Sequence, residues 1–226
     1  MTIEGQQAVA RAVVNRIATG RGLPAPWPHA DAALPAWLEE TDVTTWGVEE
    51  LGAMRERLLP AAEREKGGVW YTPLQVADEM VRLTVVPQLR GLADPADPAG
   101  VLQVLILDPA CGAGVFLVAA ARRIVAYYAG LFAAARCARP LPPLIRHLLP
   151  EVLRECIFGI DIDPVAIDLA KSVLWLETGG AMPITALDRN LIVGNPLTHP
   201  DVLPPAFKER RSQAPHTGPL FEGAHP

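Results

Sequence analysis

The sequence has few aromatic residues, few cysteines and no cluster of positive charge. Only 6% of its 226 residues are aromatic, while half are apolar, a composition typical of a globular chain and not of a disordered one. The three cysteines, Cys111, Cys137 and Cys156, lack Cys-x-x-Cys spacing, which fits a reducing cytosol better than a disulfide framework or a zinc site. The net charge is −5 and the sequence has no dense Lys/Arg run. The chain therefore lacks the basic surface expected of a protein that binds nucleic acid by itself.

Targeting and membrane signals are also missing. The N-terminus has no apolar signal-peptide region, and the most apolar window, residues 115–135, carries Arg122 and Arg123 at its centre. The histidines show no metal-ligand spacing. We therefore predict a cytoplasmic protein with no membrane partner and no metal, long enough for one α/β domain plus appendages.

One stretch, residues 104–116, organises the chain. Its apolar run, residues 104–107, predicts a buried strand covered on both faces and followed by Asp108. Gly112 and Gly114 then allow a sharp turn that a ligand can approach closely, before a helix over about 114–135. A carboxylate beside such a turn suits a cofactor with positive charge and hydroxyl groups. A lone Gly-x-Gly is a weak signal, and an ordinary strand-to-helix turn is the alternative.

A second acidic stretch follows a proline-rich insertion at residues 136–150. Residues 157–160 predict a buried strand ending at Asp161, and Asp163 and Pro164 predict the N-cap and first residue of a helix. In βαβ folds a carboxylate at the end of the second strand can bind both ribose hydroxyls of a nucleotide-like ligand. Capping alone explains Asp163, whereas Asp161 has few structural duties.

A third strand is predicted at residues 191–193, with Asn195 at its carboxyl end. The carboxyl ends of parallel strands meet at one edge of a sheet, so Asn195 falls on the ligand side. A turn built on Gly-Asn-Pro is the alternative interpretation. Residues 198–226 lack periodicity and are predicted to be loop or disordered tail.

The N-terminal part is predicted to be helical. Residues 3–19 form one predicted helix, and residues 48–65 form a second whose charged face is expected to be solvated. We assign residues 1–66 no function beyond a helical lead-in or a packing platform.

A further helix is predicted after the sequence GVWYTP. Thr72 is its expected N-cap and Pro73 its first residue. Val76, Met80 and Leu83 recur at helical spacing and are predicted to face inward.

Together these stretches resemble a known family. GVWYTPLQVADEMV, DPACGAGVFL, FGIDIDPVAIDLAKSVLWL and DRNLIVGNPL are similar, in that order, to four motifs of adenine-specific DNA methyltransferases (N-6 DNA methylases) of restriction–modification and phage-defence systems. The resemblance covers residues 66–197. It implies a Rossmann-like fold dependent on S-adenosylmethionine, present as a partial doubly wound sheet over residues 67–197. Residues 1–66 would be a helical extension and residues 198–226 a tail.

The resemblance also implies roles at the methionyl end of the cofactor. Thr72 would contact the methionyl carboxylate, with Tyr71 and Pro73 shaping that end of the site. Asp108 and the backbone of Ala110 would face the methionyl amine.

At the nucleoside end, Gly112 and Gly114 would keep the turn open for the cofactor. Asp161 would bind the ribose hydroxyls, and Ile162 would pack on the adenine ring of the cofactor. Asn195 would take the adenine amino group, where many relatives carry Asp, because an amide oxygen also accepts that hydrogen bond.

The family's catalytic sequence, Asn-Pro-Pro-aromatic, is not found in the chain. Residues 195–197, Asn-Pro-Leu, lack the second proline and the aromatic residue, so the catalytic residues are unknown. Methyl transfer from a sulfonium needs no protein nucleophile, and Cys111 is therefore predicted to be a packed residue.

The resemblance thus implies the S-adenosylmethionine-binding portion of a DNA adenine methyltransferase, truncated or completed by a second chain. DNA would be bound through the missing or partner segments. One alternative is a catalytically silent S-adenosylmethionine-binding module of a defence system. Another is an unrelated dinucleotide-binding enzyme, although the Gly-x-Gly-x-x-Gly pattern is broken at Leu117.

Overall fold

The computed structural model describes residues 1–30, 32–59, 72–94, 97–134, 141–199 and 201–213. These residues form helices around a small parallel sheet, as expected of an α/β chain. In chain order the elements are α1 (Ile3–Gly20), α2 (Ala36–Glu39), α3 (Val48–Leu58), α4 (Leu74–Leu92), a 3₁₀ turn (Pro98–Gln103), β1 (Ile106–Asp108), α5 (Val115–Ala134), α6 (Leu141–Glu155), β2 (Ile157–Asp161), α7 (Pro164–Glu177), a second 3₁₀ turn (Ile184–Leu187), β3 (Leu191–Val193) and α8 (Pro205–Gln213).

The sheet has the strand order β1-β2-β3, and both pairs are parallel. Ile106 lies opposite Ile157, and Asp161 lies opposite Val193. Helices connect each strand to the next, as parallel pairing requires. All three strands therefore end at the same edge, where the sequence places its polar residues.

The two faces of β2 pack against different elements. A Cβ atom at Gly159 would lie 2.9 Å from Cys111 Sγ and 3.0 Å from Leu117 Cδ1, so this face lies tightly against the turn and α5. Phe158 packs edge-on against Phe207 of α8, with ring centroids 5.2 Å apart. Part of the predicted tail is therefore a helix that packs under the sheet.

Strand β1 differs from its prediction in position and burial. It begins at Ile106, because residues up to Gln103 form a 3₁₀ turn, and Ile106 and Leu107 are only half-buried. Among the described residues β1 pairs only with β2 and forms one edge of the sheet. The apolar run predicted a fully covered strand, and the open edge explains why it is not covered.

The proline-rich insertion is also more ordered than predicted. Residues 141–155 form α6, which covers most of the stretch that the sequence indicated only as a proline-rich insertion. Pro142 and Pro143 fall in the first turn, where a missing N–H breaks no hydrogen bond, and only Pro150 lies in the helix interior.

Helix α4 begins differently from its prediction. Its N-cap is Pro73 and not Thr72, and no side chain caps it from that position. The N–H of Leu74 instead donates to Glu49 Oε1 of α3, at 3.3 Å. A carboxylate from another helix thus takes the place of the predicted threonine cap.

The predicted inward face of α4 is wrong. Val76, Met80 and Leu83 are 48%, 49% and 59% exposed. The buried stripe consists of Ala77, Val81, Val85 and Leu89. Both stripes have helical spacing, so periodicity alone cannot choose between them; the structure packs the stripe that contains the small Ala77 on its neighbour α5.

Helix α4 lies on the β1 side of the helical layer. Consecutive residues point about 100° apart around a helix. The adjacent residues Arg122 and Arg123 of α5 therefore contact different neighbouring helices. Arg122 pairs with Glu177 of α7, and Arg123 pairs with Asp78 of α4. Since α7 packs over β2 and β3, α4 lies on the other flank of α5, where it also contacts the 3₁₀ turn that leads into β1.

The N-terminal helices share the core of the sheet. The predicted helix over residues 3–19 is confirmed, and its buried face packs on α7 within one continuous apolar cluster. Arg11 pairs with Asp168 at 2.8 Å, and the Trp27 indole N–H donates to Ser172 Oγ at 2.9 Å. No helix in the described part of the chain combines the length and apolar character that a membrane crossing needs.

The same substitution, leucine to alanine, at two positions of α4 tests which face of the helix is buried. Leu89→Ala empties a fully buried position and should lower the free energy of unfolding by about 2–5 kcal/mol. Leu83→Ala, at a 59% exposed position, should change it by less than about 0.5 kcal/mol. Urea denaturation of both variants measures the difference, and equal losses would contradict the orientation of α4.

Candidate functional site

The glycine-rich turn after β1 is fixed to the neighbouring strand. The N–H of Cys111 donates to the carbonyl of Ile160 at 2.9 Å, and the N–H of Gly114 donates to the carbonyl of Cys111 at 2.8 Å. Gly112 and Gly114 have φ of +52° and +89°, in the region that favours glycine. The turn is thus shaped by backbone bonds before any ligand binds.

The two glycines have different surroundings. A Cβ atom at Gly114 would lie 3.3 Å from Ala170 Cα, so this glycine lets the turn approach α7. A Cβ atom at Gly112 would meet nothing within 4 Å. Packing therefore explains Gly114, whereas Gly112 borders open space in which a ligand could lie.

Asp161 joins the turn to the end of β2. Its Oδ2 accepts the N–H of Gly112 at 2.8 Å, and its Oδ1 accepts the N–H of Asp163 at 2.9 Å. Asp161 therefore has a structural duty that its sequence position did not reveal. Each carboxylate oxygen keeps a further lone pair for a ligand hydroxyl.

The carboxyl groups of Asp108 and Asp161 are close enough to interact electrostatically. Asp108 Oδ1 accepts the N–H of Ala110 at 3.1 Å. Burial raises the pKa of the Asp108 carboxyl, and the negative charge of Asp161 raises it further. Neither carboxylate forms an ion pair within the described ranges. The pair is therefore negative and without a counter-charge there, which favours a cationic ligand.

Cys111 behaves as a packed residue, as predicted. Its side chain is buried, and burial, followed by the charges of Asp108 and Asp161, raises the pKa of its thiol well above the ordinary value. The thiol therefore stays protonated at neutral pH and is a poor nucleophile.

Ile162 offers an apolar surface at the same edge. Its side chain is 63% exposed, although it directly follows buried β2. A large exposed aliphatic side chain beside two carboxylates is suited to the face of a flat apolar ring.

Asn195 is placed beside Asp161 but is engaged in a turn. The N–H of Gly194 donates to the backbone carbonyl of Asp161 at 2.8 Å, which aligns the ends of β2 and β3. The side-chain oxygen of Asn195 accepts the N–H groups of Leu197 and Thr198 at 3.0 and 3.3 Å. This geometry matches the turn interpretation, and a ligand would have to compete for that oxygen.

The methionyl end is described in part. Tyr71 lies outside the described residues. Thr72 and Pro73 precede α4, which is attached to α3 through the Leu74 N–H and Glu49. The structure thus joins Asp108, Ala110, Gly112 and Asp161 through bonds and charge, and the roles of all the predicted site residues stay predictions.

Sequence reasoning missed Arg55. It was assigned to a solvated face, yet it is 6% exposed and its Nε lies 2.6 Å from Asp163 Oδ2. Asp163 also caps α7, as predicted, by accepting the N–H of Val165 at 2.9 Å. A usable signal existed, because Arg55 lies at helical spacing between Leu51 and Leu58 on the apolar face.

The fold and the acidic edge define an α/β chain whose candidate ligand site lies at the carboxyl ends of parallel strands. Comparison with known families is more specific: the sequence model of N-6 DNA methylases matches residues 48–182, more than half of the chain. The chain belongs to the N-6 DNA methylase family, and the resemblance drawn from its motifs is confirmed.

Two curated relatives are restriction–modification proteins. A type II restriction enzyme and methyltransferase of Escherichia coli is 30% identical over 171 residues, which cover 66% of this chain and 16% of the relative. A putative type II restriction enzyme and methyltransferase of Methanocaldococcus jannaschii is 29% identical over 105 residues, covering 46% and 8%. The chain thus spans less than a fifth of either relative. No solved structure gives a significant match.

The charge interaction between the two aspartates can be measured without a ligand. In a carbon-detected NMR titration, the pKa of Asp108 should lie above that of an ordinary aspartate, and Asp161→Asn should lower it by removing the neighbouring charge. Burial remains in the variant, so the pKa should not return fully to its ordinary value. An unchanged Asp108 pKa in Asp161→Asn would show that the carboxylates do not interact.

Proposed function

We propose that this chain is the S-adenosylmethionine-binding portion of a DNA adenine methyltransferase, built on a Rossmann-like half-sheet. The observation that carries the proposal is the hydrogen bond between Gly112 of the turn and Asp161 at the end of β2. It joins two of the family's motifs into one site with an open space, a negative charge and free acceptor positions.

The charge of the site suits this cofactor. S-adenosylmethionine carries a sulfonium and an amine, both positive, and the described part of the chain gives Asp108 and Asp161 no cationic partner. Asp108 and the backbone of Ala110 would face the amine. Bound positive charge would relieve the repulsion between the two carboxylates and favour the ionised form of Asp108.

The nucleoside half has matching groups. The unused lone pairs of Asp161 would accept the ribose hydroxyls, and the exposed Ile162 side chain would cover one face of the adenine ring. The space beside Gly112 would hold the cofactor backbone. Phosphates would be repelled by the same carboxylates, which disfavours a dinucleotide.

Methyl transfer to the 6-amino group of adenine in DNA is proposed from the family and from the names of the two relatives. The reaction requires the base to be flipped out of the duplex and held at a catalytic sequence. Residues 195–197 do not complete such a sequence. We therefore propose that a further segment, in the same or another polypeptide, supplies catalysis and DNA contacts.

Two features on one flank support completion by such a segment. Strand β1 has an edge that pairs with no strand of the described residues. On the same flank of α5, helix α4 exposes Val76, Met80 and Leu83. A strand added next to β1 would pair that edge and give α4 an apolar surface to pack on.

A catalytically silent S-adenosylmethionine-binding module is the second candidate. The observation that favours it is the absence of Asn-Pro-Pro-aromatic from all 226 residues. Both candidates require the cofactor site, and they differ in whether DNA is methylated once a completing segment is present.

Cofactor binding is tested by calorimetric titration with S-adenosylmethionine. Asp161→Ala should weaken binding by roughly 1–3 kcal/mol, because the ribose hydroxyls lose their acceptors. Asp188→Ala, which removes a surface carboxylate paired with Lys171, is the matched control and should bind as the wild type does. Equal affinity of Asp161→Ala and wild type would refute the ribose assignment. Binding of nicotinamide dinucleotide in place of S-adenosylmethionine would refute the cofactor.

Methyl transfer is tested with labelled S-adenosylmethionine and adenine-containing DNA. The chain alone should give no detectable incorporation, since it lacks the catalytic sequence. A segment carrying Asn-Pro-Pro-aromatic, encoded nearby and added to the chain, should restore it. Methylation of DNA by the chain alone would mean that the chain contains a catalytic sequence other than Asn-Pro-Pro-aromatic. No methylation with the segment present would favour the binding module.

A further inference from the structure

Helix α3 contacts two separate parts of the proposed cofactor site. In its first turn, Glu49 accepts the N–H of Leu74, directly after Thr72 and Pro73. Near its end, Arg55 contacts Asp163, two residues after Asp161. A single rigid helix therefore links the segment expected at the methionyl end with the edge expected at the ribose.

Arg55 is a buried charge with defined partners. Its Nε donates to Asp163 Oδ2 at 2.6 Å, and its Nη1 donates to the Gln6 side-chain oxygen at 3.1 Å. Gln6 is itself 3% exposed and donates to the carbonyl of Leu58 at 3.4 Å. Helices α1 and α3 together thus hold the guanidinium in one orientation.

Three hydrogen bonds, connected through the covalent bonds of Asp163 and Asp161, lead from Arg55 to the turn. Asp163 uses one carboxylate oxygen for Arg55 and the other to cap α7. Its backbone N–H donates to Asp161 Oδ1, and Asp161 Oδ2 accepts the N–H of Gly112. The Asp161 carboxylate is oriented by two hydrogen bonds, one from the Asp163 N–H and one from the Gly112 N–H. Because Arg55 holds the Asp163 side chain, it influences the first of these bonds.

We propose that Arg55 is a positioning residue for the cofactor site, acting through Asp163 on the carboxylate of Asp161. This inference rests on the proposed function. It gives the N-terminal helices a role beyond packing, because α1 and α3 set the orientation of the group that would bind the ribose.

The chain contains a matched control for a purely structural ion pair. Arg11 of α1 contacts Asp168 of α7, whose side chain is 9% exposed, and Gln7 donates to the same carboxylate at 2.9 Å. Like the Arg55 pair, this contact joins an N-terminal helix to α7 through an arginine and an aspartate, but it involves no atom bonded to Asp161 or the turn. Loss of either ion pair should lower the free energy of unfolding, and only loss of the Arg55 pair should also weaken cofactor binding.

The experiment measures S-adenosylmethionine affinity of the full chain by calorimetry in Arg55→Met, Arg55→Lys and Arg11→Met. Arg55→Met should weaken binding about tenfold, the size expected for residues in one hydrogen-bond network. Arg55→Lys, which keeps the charge, should recover part of the loss. Arg11→Met should bind within about twofold of wild type. Equal affinities of Arg55→Met and Arg11→Met would overturn the proposal.

Two further measurements separate positioning from a loss of folding. In an Asp161→Asn background, Arg55→Met should have a much smaller effect on affinity, because the path runs through that carboxylate. Equal losses in both backgrounds would overturn the proposal. Should Arg55→Met fail to fold, Asp163→Asn replaces it, since this change retains an oxygen for the α7 cap and removes the charge that Arg55 contacts.

A ligand-free measurement separates this inference from the proposed function. Amide hydrogen exchange at Gly112 and Asp163, relative to other amides of the same variant, should be faster in Arg55→Met than in wild type and unchanged in Arg11→Met. If wild type binds no S-adenosylmethionine while this pattern is observed, the proposed function fails and the bond network stands. If wild type binds and exchange at both amides is unaffected by Arg55→Met, the positioning role fails alone.

Discussion

The hydrogen bond from the Gly112 N–H to the Asp161 carboxylate holds the candidate site together. It connects residues 49 positions apart and fixes the turn after β1 against the end of β2. The same bond brings a second carboxylate near Asp108, whose pKa is raised by burial and by that charge. Bringing like charges together is unfavourable, and the backbone donors around Asp161 stabilise the arrangement. A bound cation would weaken the remaining repulsion, so the geometry favours a cationic ligand over an anionic one.

The features that sequence reasoning placed correctly are local ones. Strand β3 and the Asp163 cap with Pro164 each depend on residues within one turn of each other. The backbone conformation that such residues favour hardly depends on the rest of the chain. Asp161 and Asn195 were placed at the carboxyl edge of the sheet for the same reason, because a short apolar run followed by a polar residue marks the end of a buried strand.

The features that were missed depend on contacts between distant elements. The apolar stripe of α4 was assigned to the wrong face, since two stripes have helical spacing and only packing on α5 selects one. Helix α8 has little apolar periodicity, and its burial rests mainly on Phe207 against Phe158. Arg55 was expected in solvent because most arginines are exposed; its buried partner lies 108 positions away.

The described N-terminal helices cover one side of the sheet and leave the other side uncovered. Helices α1 and α3 pack on α7, and so cover the β2–β3 side, which carries Asp161 and Ile162. On the β1 side, a strand edge and the exposed stripe of α4 have no partner in the described residues. The edge that carries Asp161 and Ile162 is therefore supported by contacts within the chain, and the β1 side is the surface that the proposed completing segment would cover. Under the proposed function, the cofactor site would form before the catalytic residues are added, and a completing strand paired with β1 would end beside Asp108.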